Sequence, residues 1–330
     1  MNLYIVSSPL HIFLTLLHKK NHSNSFCILI DEENKLKNYY TLISQSFKKS
    51  LYIGFPKKRL SKYLKFSLFT KRIFPEYKLF LKIFADIKYD NIYLFNDHFL
   101  GTQVFINSLN SKKVVFIEDG STVYNQWKFK KNLARRIFYK IMFGDSVVQV
   151  RVMGTHPSIQ ARLVLYPNNV REELQDDKTS QFIVRSDVKK ISEIMLKTLG
   201  YQQEIVKNKK ALFILSRLNT YCEIEWINGK IKEFSSENIT CYLKYHPLSD
   251  KAVGTINPNT KYLKSDLPVE IIASILDFEV IIGPPSSSLY IVKFLFPKTK
   301  VICLSDKKNL LSRKFIKMLT QIGVENLKVL

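Results

Sequence analysis

Three consecutive serines, Ser286-Ser287-Ser288, follow Gly283-Pro284-Pro285 and the apolar run Phe278 to Ile282. The run has the length and composition of a buried parallel strand. The Gly-Pro-Pro turn stops it, and the serines then stand at the start of a helix that Pro297 ends. A helix start carries unpaired backbone N–H groups and partial positive charge. Three hydroxyls add donors there, which suits the holding of a phosphate. Serine also caps helices for purely structural reasons, and this stretch alone leaves both readings open. Two further motifs fall at the ends of predicted strands: Glu118-Asp119-Gly120 after Lys113 to Ile117, and His246-Pro247 after Ile239 to Tyr245. Ligands of open α/β sheets gather at that edge. Singly, each motif is weak. Asp-Gly is a common turn, and a second His-Pro, His156-Pro157, occurs where no clear strand delivers it.

The elements that must position these motifs alternate along the chain. Strands are expected at Leu3 to Val6, Phe26 to Ile30, Ser50 to Ile53, Asn91 to Phe95, Ala211 to Leu215, Lys261 to Leu263 and Lys300 to Leu304. Helical spacing marks Leu10 to Leu17, Tyr39 to Phe47, Gly101 to Leu109, Val188 to Leu199 and Asn309 to Ile322, and a basic, mostly helical stretch runs from Lys58 to Ala85. Ahead of the Phe278 strand, Ile271, Ile272, Ile275 and Leu276 recur at helical spacing, with Pro268 in the first turn. Such alternation signals parallel sheets with crossover helices. From about Val150 to Gln181 the periodicity weakens into a polar run, read as the crossing between two domains, 1–165 and 166–330. Both halves are α/β, and their sheets are expected to face each other across a cleft.

Composition narrows the class. Of 330 residues, 46% are hydrophobic, enough to bury a sizeable core and to argue against disorder. No apolar run approaches a membrane span, and Met1 to Val6 reads as a first strand rather than a secretory leader. Cys27, Cys222, Cys241 and Cys303 lack paired spacing, which fits reduced residues of a cytoplasmic chain and argues against zinc. A net charge of +23 implies an anionic partner or surface: nucleic acid, acidic lipid or an anionic substrate. No nucleic-acid motif accompanies it. Between Asn125 and Gly144, Lys128, Lys130, Lys131, Arg135, Arg136 and Lys140 interleave with apolar and aromatic residues. A basic amphipathic helix of this kind suits an anionic membrane; an ordinary helix with one packed face has the same pattern.

In this order and on these elements, the acidic-Asp-Gly, His-Pro and Ser-Ser motifs resemble those of bacterial sialyltransferases of the GT-B type. The nearest resemblance is to glycosyltransferase family 52, the lipooligosaccharide and capsule sialyltransferases. The opening Leu3-Tyr4-Ile5-Val6-Ser7-Ser8-Pro9-Leu10-His11 is similar to that family's start. The resemblance implies two Rossmann-like domains, the first serving the acceptor and the second binding the donor, CMP-sialic acid. It implies inverting, metal-independent transfer of sialic acid to a terminal sugar of a lipid-linked or oligosaccharide glycan, with no cofactor. Asp119 then corresponds to the general base, which must lie within hydrogen-bond reach of the attacking oxygen. Glu118 should point the other way, because adjacent strand residues face opposite sides. His246, with Pro247, corresponds to the histidine beside the leaving phosphate. Ser286 and Ser287 correspond to the phosphate-binding pair, with Ser288 as an extra serine and Gly283 closing the strand beneath them. Glu270 aligns with the acid that holds ribose hydroxyls. Its alternative is a first-turn carboxylate favoured by the helix dipole. Lys244 shares a strand face with His246 and could reach the donor. Ser7, Ser8, His11, Asn96, Asp97, His98 and Gly120 end strands of the first domain and could contact acceptor or sugar; equally, they could serve turns and caps. Arg217, after Leu215-Ser216, could meet the donor phosphate or carboxylate.

The expected enzyme is therefore cytoplasmic, peripheral on the inner face of the membrane, and free of nucleic acid; the family also admits homodimers. Two rivals stay open. One is a GT-B transferase with another nucleotide-sugar donor, since fold does not fix function. The other is a non-catalytic basic protein that binds membrane or nucleic acid.

Overall fold

The computed structural model describes residues 1–19, 24–31, 35–54, 81–126, 128–130, 132–134, 137, 140–141, 147–201, 208–215, 221–246, 260–306 and 313–329. The chain divides into two compact units, Met1–Asp187 with Ile194–Gly200, and Val188–Glu193 with Tyr201–Leu330.

The first unit is built on β1 (Asn2–Val6), α1 (Pro9–His18), β2 (Ser25–Asp31), α2 (Lys37–Ser46), β3 (Lys49–Gly54), β4 (Lys88–Leu94), α3 (Leu100–Asn107), β5 (Asn110–Ile117), β6 (Ile159–Val164) and β7 (Thr179–Gln181). Its strands form one sheet in the order β3-β2-β1-β4-β5-β6-β7, and every pairing is parallel. The order reverses direction between β1 and β4, the switch point where such sheets take their ligands. β2 is buried at every residue, as a central strand covered on both faces must be. The break Ser7-Ser8-Pro9 becomes a helix start. Ser8 is the N-cap of α1, its Oγ accepting the His11 N–H at 3.1 Å, and Pro9 takes the first position, where its missing N–H costs nothing.

The second unit holds β8 (Lys210–Ile214), α5 (Tyr221–Ser236), β9 (Thr240–Lys244), β10 (Lys261–Leu263), α6 (Val269–Leu276), β11 (Val280–Gly283), α7 (Ser287–Leu295), β12 (Lys300–Asp306), α8 (Arg313–Gln321) and β13 (Glu325–Val329); α4 (Val188–Thr198) comes before them in the chain. The sheet order is β10-β9-β8-β11-β12-β13, again parallel throughout, with the switch point between β8 and β11. Alternate strand residues make one core face: Ala211, Phe213 and Leu215, Cys241 and Leu243, Val280 and Ile282, Ile302 and Leu304. Ile227 and Ile231 of α5 close over them. Cys27, Cys241 and Cys303 are free and buried.

Several expectations change. Strands β6 and β7 lie in the stretch read as an interdomain crossing, so the first sheet runs past the boundary placed at 165/166. β7 is a polar Thr-Ser-Gln edge strand and has no alternation to reveal it. Helix α5 and strand β13 add to the elements expected from the sequence. α5 has apolar residues at Ile224, Ile227 and Ile231, a stripe that could have shown it, but Gly229 interrupts it, and glycine weighs against a helix interior. In the basic segment expected as one helix from Asn125 to Gly144, residues 128–130 are non-helical, and the described helical residues begin at Leu133. Leu133, Ile137 and Ile141 stand in solvent at 71%, 51% and 76% exposure. Of the stretch expected as mostly helical from Lys58 to Ala85, residues 58–80 lie outside the described residues, and Leu81–Ala85 is a turn of π-helix. No helix among those described is long and apolar enough to cross a membrane.

Candidate active site

At the switch point of the first sheet, the loops after β1, β4 and β5 bring four predicted residues together. His11 Nε2 lies 2.8 Å from Asp119 Oδ1. Asn96 Nδ2 donates to Asp119 Oδ2 at 3.1 Å, while Asn96 Oδ1 accepts the Phe99 N–H at 2.8 Å. Ser7 donates its backbone N–H to His11 Nδ1 at 3.2 Å, and its hydroxyl lies 3.3 Å from the same nitrogen. The His11 ring stacks on Phe95, centroids 4.4 Å apart and planes at 8°. The Asp119 side chain remains 25% exposed. Gly120 follows it with φ +67°, a conformation that favours glycine, and opens a short turn of 3-10 helix to Val123.

Glu118 goes the other way. It is buried, and its carboxylate accepts the Tyr124 hydroxyl and, at 2.7 Å, the Leu165 N–H. Burial and the adjacent carboxylate push the Tyr124 phenol well above its ordinary value. Asp97 is also sealed in. Its carboxylate accepts the Gly154 N–H at 3.0 Å and the His156 N–H at 2.9 Å, and burial raises its pKa to about 6 against those bonds. It anchors the 152–156 loop instead of facing a ligand. His98 stacks on Phe129 at 3.5 Å and lies 3.1 Å from the Val150 carbonyl. Of Asn96-Asp97-His98, only Asn96 joins Asp119. The hydroxyl of Ser8 is engaged as the helix cap.

In the second unit, Lys244 ends β9, buried, with Nζ donating to the Ser265 carbonyl at 2.9 Å. Burial lowers its pKa to about 8, opposed by the charges of Glu270 and Asp266. Glu270, in the first turn of α6, is buried too, and burial raises its pKa. A hydrogen bond from Ser288 and the Lys244 charge oppose that rise. The third serine therefore serves the Glu270 carboxylate. Ser286 occupies the N-cap of α7 in extended conformation (φ −146°), yet its side chain makes no cap bond. Its buried Oγ finds no partner among the described residues. A hydroxyl so placed at a helix start is free to donate to an anion. Gly283 has a packing role: a Cβ there would sit 2.9 Å from Ile214 Cβ, where β11 passes β8. His246 follows Lys244 by two residues and is half-buried. Pro247 and Arg217 lie outside the described residues. Among those described, no group of three His, Cys, Asp or Glu side chains is placed to hold a metal ion.

Two parallel-sheet α/β domains with their polar groups at strand ends define a GT-B glycosyltransferase of two Rossmann-like domains. The fold is similar to that of a 2,6-sialyltransferase of a Photobacterium species, solved with the donor product CMP and the acceptor substrate lactose. The TM-score is 0.61 at 14% identity, over 99% of this chain and 78% of that one. It is also similar to the GT-B domain of a sialyltransferase from Photobacterium damselae, with TM-score 0.58 and 13% identity over 99% and 100% of the chains. The glycosyltransferase SnogD from Streptomyces nogalater resembles it with TM-score 0.53 and 9% identity over 100% and 87%. The alpha-2,8-polysialyltransferase family matches residues 2–305, and the chain belongs to that family. It is thus a sialyltransferase. No curated protein sequence matches it. The match is to a sialyltransferase family, as the motifs imply, and family 52 specifically is not shown. The three motifs point to the class, and the match over residues 2–305 supplies the family.

Proposed function

We propose that the protein transfers sialic acid from CMP-sialic acid to a terminal sugar of a capsular or lipooligosaccharide glycan, in one inverting displacement that uses no metal. The family description adds a finer reading, in which the acceptor sugar is itself sialic acid and the bond formed is α-2,8. The observation that supports this most is Asp119: a carboxylate held on both oxygens, by His11 and Asn96, yet a quarter exposed at the ligand-binding edge of its sheet. Asp119 takes the proton of the acceptor hydroxyl as that oxygen bonds to the anomeric carbon. The bond from that carbon to the donor phosphate breaks, and its electron pair leaves with CMP. Ser286, Ser287 and the N–H groups opening α7 hold the phosphate, His246 hydrogen-bonds or protonates it, and Glu270 accepts from the ribose. Donors fixed where charge grows are the largest expected catalytic contribution.

The donor is tested by thermal shift with CMP, UDP and GDP, each with Mg²⁺ and with chelator. A ligand at a hundredfold excess over its Kd stabilises by about 2.7 kcal/mol. CMP alone should raise Tm, equally with and without the metal. A rise with UDP or GDP instead would keep the fold and discard this donor, and silence towards CMP would sink the reading.

The same reading makes the enzyme cytoplasmic and peripheral on the inner leaflet, where lipid-linked acceptors are presented. Its support is the +23 charge together with the exposed Leu133, Ile137 and Ile141. Each basic residue near an anionic surface contributes roughly 1 kcal/mol. The wild type should co-sediment with phosphatidylserine vesicles and not with phosphatidylcholine ones. The L133Q/I137Q/I141Q variant should bind several-fold less while its response to CMP is unchanged; equal sedimentation of variant and wild type would refute the docking.

A further inference from the structure

We propose that His11 is a positioning residue for the proton transfer: a histidine locked in one tautomer by the backbone of Ser7, whose Nε2–H aims the Asp119 carboxylate. The proposal rests on the reading of Asp119 as the base and deepens it.

The direction of the chain of hydrogen bonds follows from its first member. The Ser7 backbone N–H can only donate, so the His11 Nδ1 that receives it at 3.2 Å carries no proton. The ring proton is then on Nε2, and Nε2 donates to Asp119 Oδ1 at 2.8 Å. The Ser7 hydroxyl, 3.3 Å from the same Nδ1, can donate to it as well. The ring itself is held between two strand ends. Its residue sits in the first turn of α1, where its own N–H bonds to Ser8 Oγ, and its face lies on Phe95, the residue after β4. Asn96, the next residue, takes the other carboxylate oxygen, with its amide orientation set by the Phe99 N–H on its Oδ1. Each Asp119 oxygen thus accepts one bond from the protein. A carboxylate offers about four acceptor positions, so lone pairs remain for the acceptor hydroxyl.

Exposure assigns the roles within the pair. The His11 side chain is 4% exposed and that of Asp119 25%. Asp119 can meet a substrate; His11 acts through it. The sequence reading offers His11 as a contact to acceptor or sugar; both its ring nitrogens are engaged instead, one by Ser7 and one by Asp119. A base must lie within hydrogen-bond reach and correct orientation of the proton it takes. A carboxylate free to rotate would lose that orientation for much of the time.

The test compares His11→Phe, which keeps the stacking on Phe95 and removes the donor, with His11→Gln, whose amide N–H2 reaches the place of Nε2. Turnover is read as CMP release from CMP-sialic acid with a short α-2,8-linked sialic acid oligomer. His11→Phe should lower kcat by about ten- to a hundred-fold, part of the 10²–10⁴ that a general base contributes, with KM for the donor within about twofold. His11→Gln should recover several-fold of that loss. Placed on Asp119→Asn, His11→Phe should have little further effect, as members of one network are non-additive. Independently of activity, the ring ¹⁵N shifts of His11, assigned by their loss in His11→Gln, should show protonated Nε2 and bare Nδ1. Full turnover by His11→Phe, no recovery by His11→Gln, or a proton on Nδ1 would each overturn the positioning role while leaving Asp119 as base. Full turnover by Asp119→Asn would overturn the base, and this role with it.

Discussion

Asp119→Asn should leave a folded protein whose kcat is lower by about 10²–10⁴, the contribution of a positioned general base, or roughly 2.7–5.5 kcal/mol of barrier. The substitution is nearly isosteric, yet it reverses one hydrogen bond. Asp119 accepts on both oxygens, from His11 and from Asn96, and an amide can accept on only one side. One neighbour must therefore face a donor, at a cost of about 1–3 kcal/mol if it stays unmet. Stability should drop a little and activity a great deal. Stabilisation by CMP should persist, because the groups proposed to hold CMP belong to the other unit. The decisive comparison is CMP release per enzyme, with the thermal shift by CMP as the control for folding. Turnover within tenfold of wild type would remove Asp119 from the chemistry.

Much of this arrangement is visible in the chain before any coordinates. Phe26 to Ile30 and Val301 to Leu304 can hardly be anything but buried strands, and the three motifs stand at strand ends because turns follow apolar runs. Alternation says only that Asp119 and Glu118 face opposite ways; the choice of Asp119 comes from the resemblance, and the burial of Glu118 against Tyr124 and Leu165 agrees with it. What the chain hides is pairing at a distance. Nothing near Asp97 announces that its carboxylate is taken by backbone N–H groups 57 and 59 residues later. His11 and Asp119 are 108 residues apart, and only the parallel order of β1, β4 and β5 makes them neighbours. Apolar residues on a helical period do not say which way they face, so Leu133, Ile137 and Ile141 read as core or as membrane contact until their exposure is known. The third serine is an extra one beside the phosphate-binding pair; its bond to Glu270 gives it a separate task.

That division of labour among the serines yields the second large effect. Ser286→Ala with Ser287→Ala should lower kcat by about 10²–10³, the scale of lost donors to growing negative charge, and should weaken CMP binding. The ligand-free protein should respond in the opposite sense. Serine at an N-cap contributes about 1 kcal/mol to a helix when its oxygen accepts a backbone N–H, and alanine forfeits it. Ser286 makes no such bond, and its Oγ is buried without a partner among the described residues. Removing a buried, unmet hydroxyl relieves a penalty of about 1–3 kcal/mol. Ser286→Ala should therefore leave the urea midpoint unchanged or raise it while CMP affinity falls. A lowered midpoint with intact CMP binding and turnover would return Ser286 to the role of an ordinary cap. Stability and activity moving in opposite directions separates the two readings that the sequence leaves open, because a cap supports the fold with or without a ligand, whereas an anion site is completed only by the phosphate it holds.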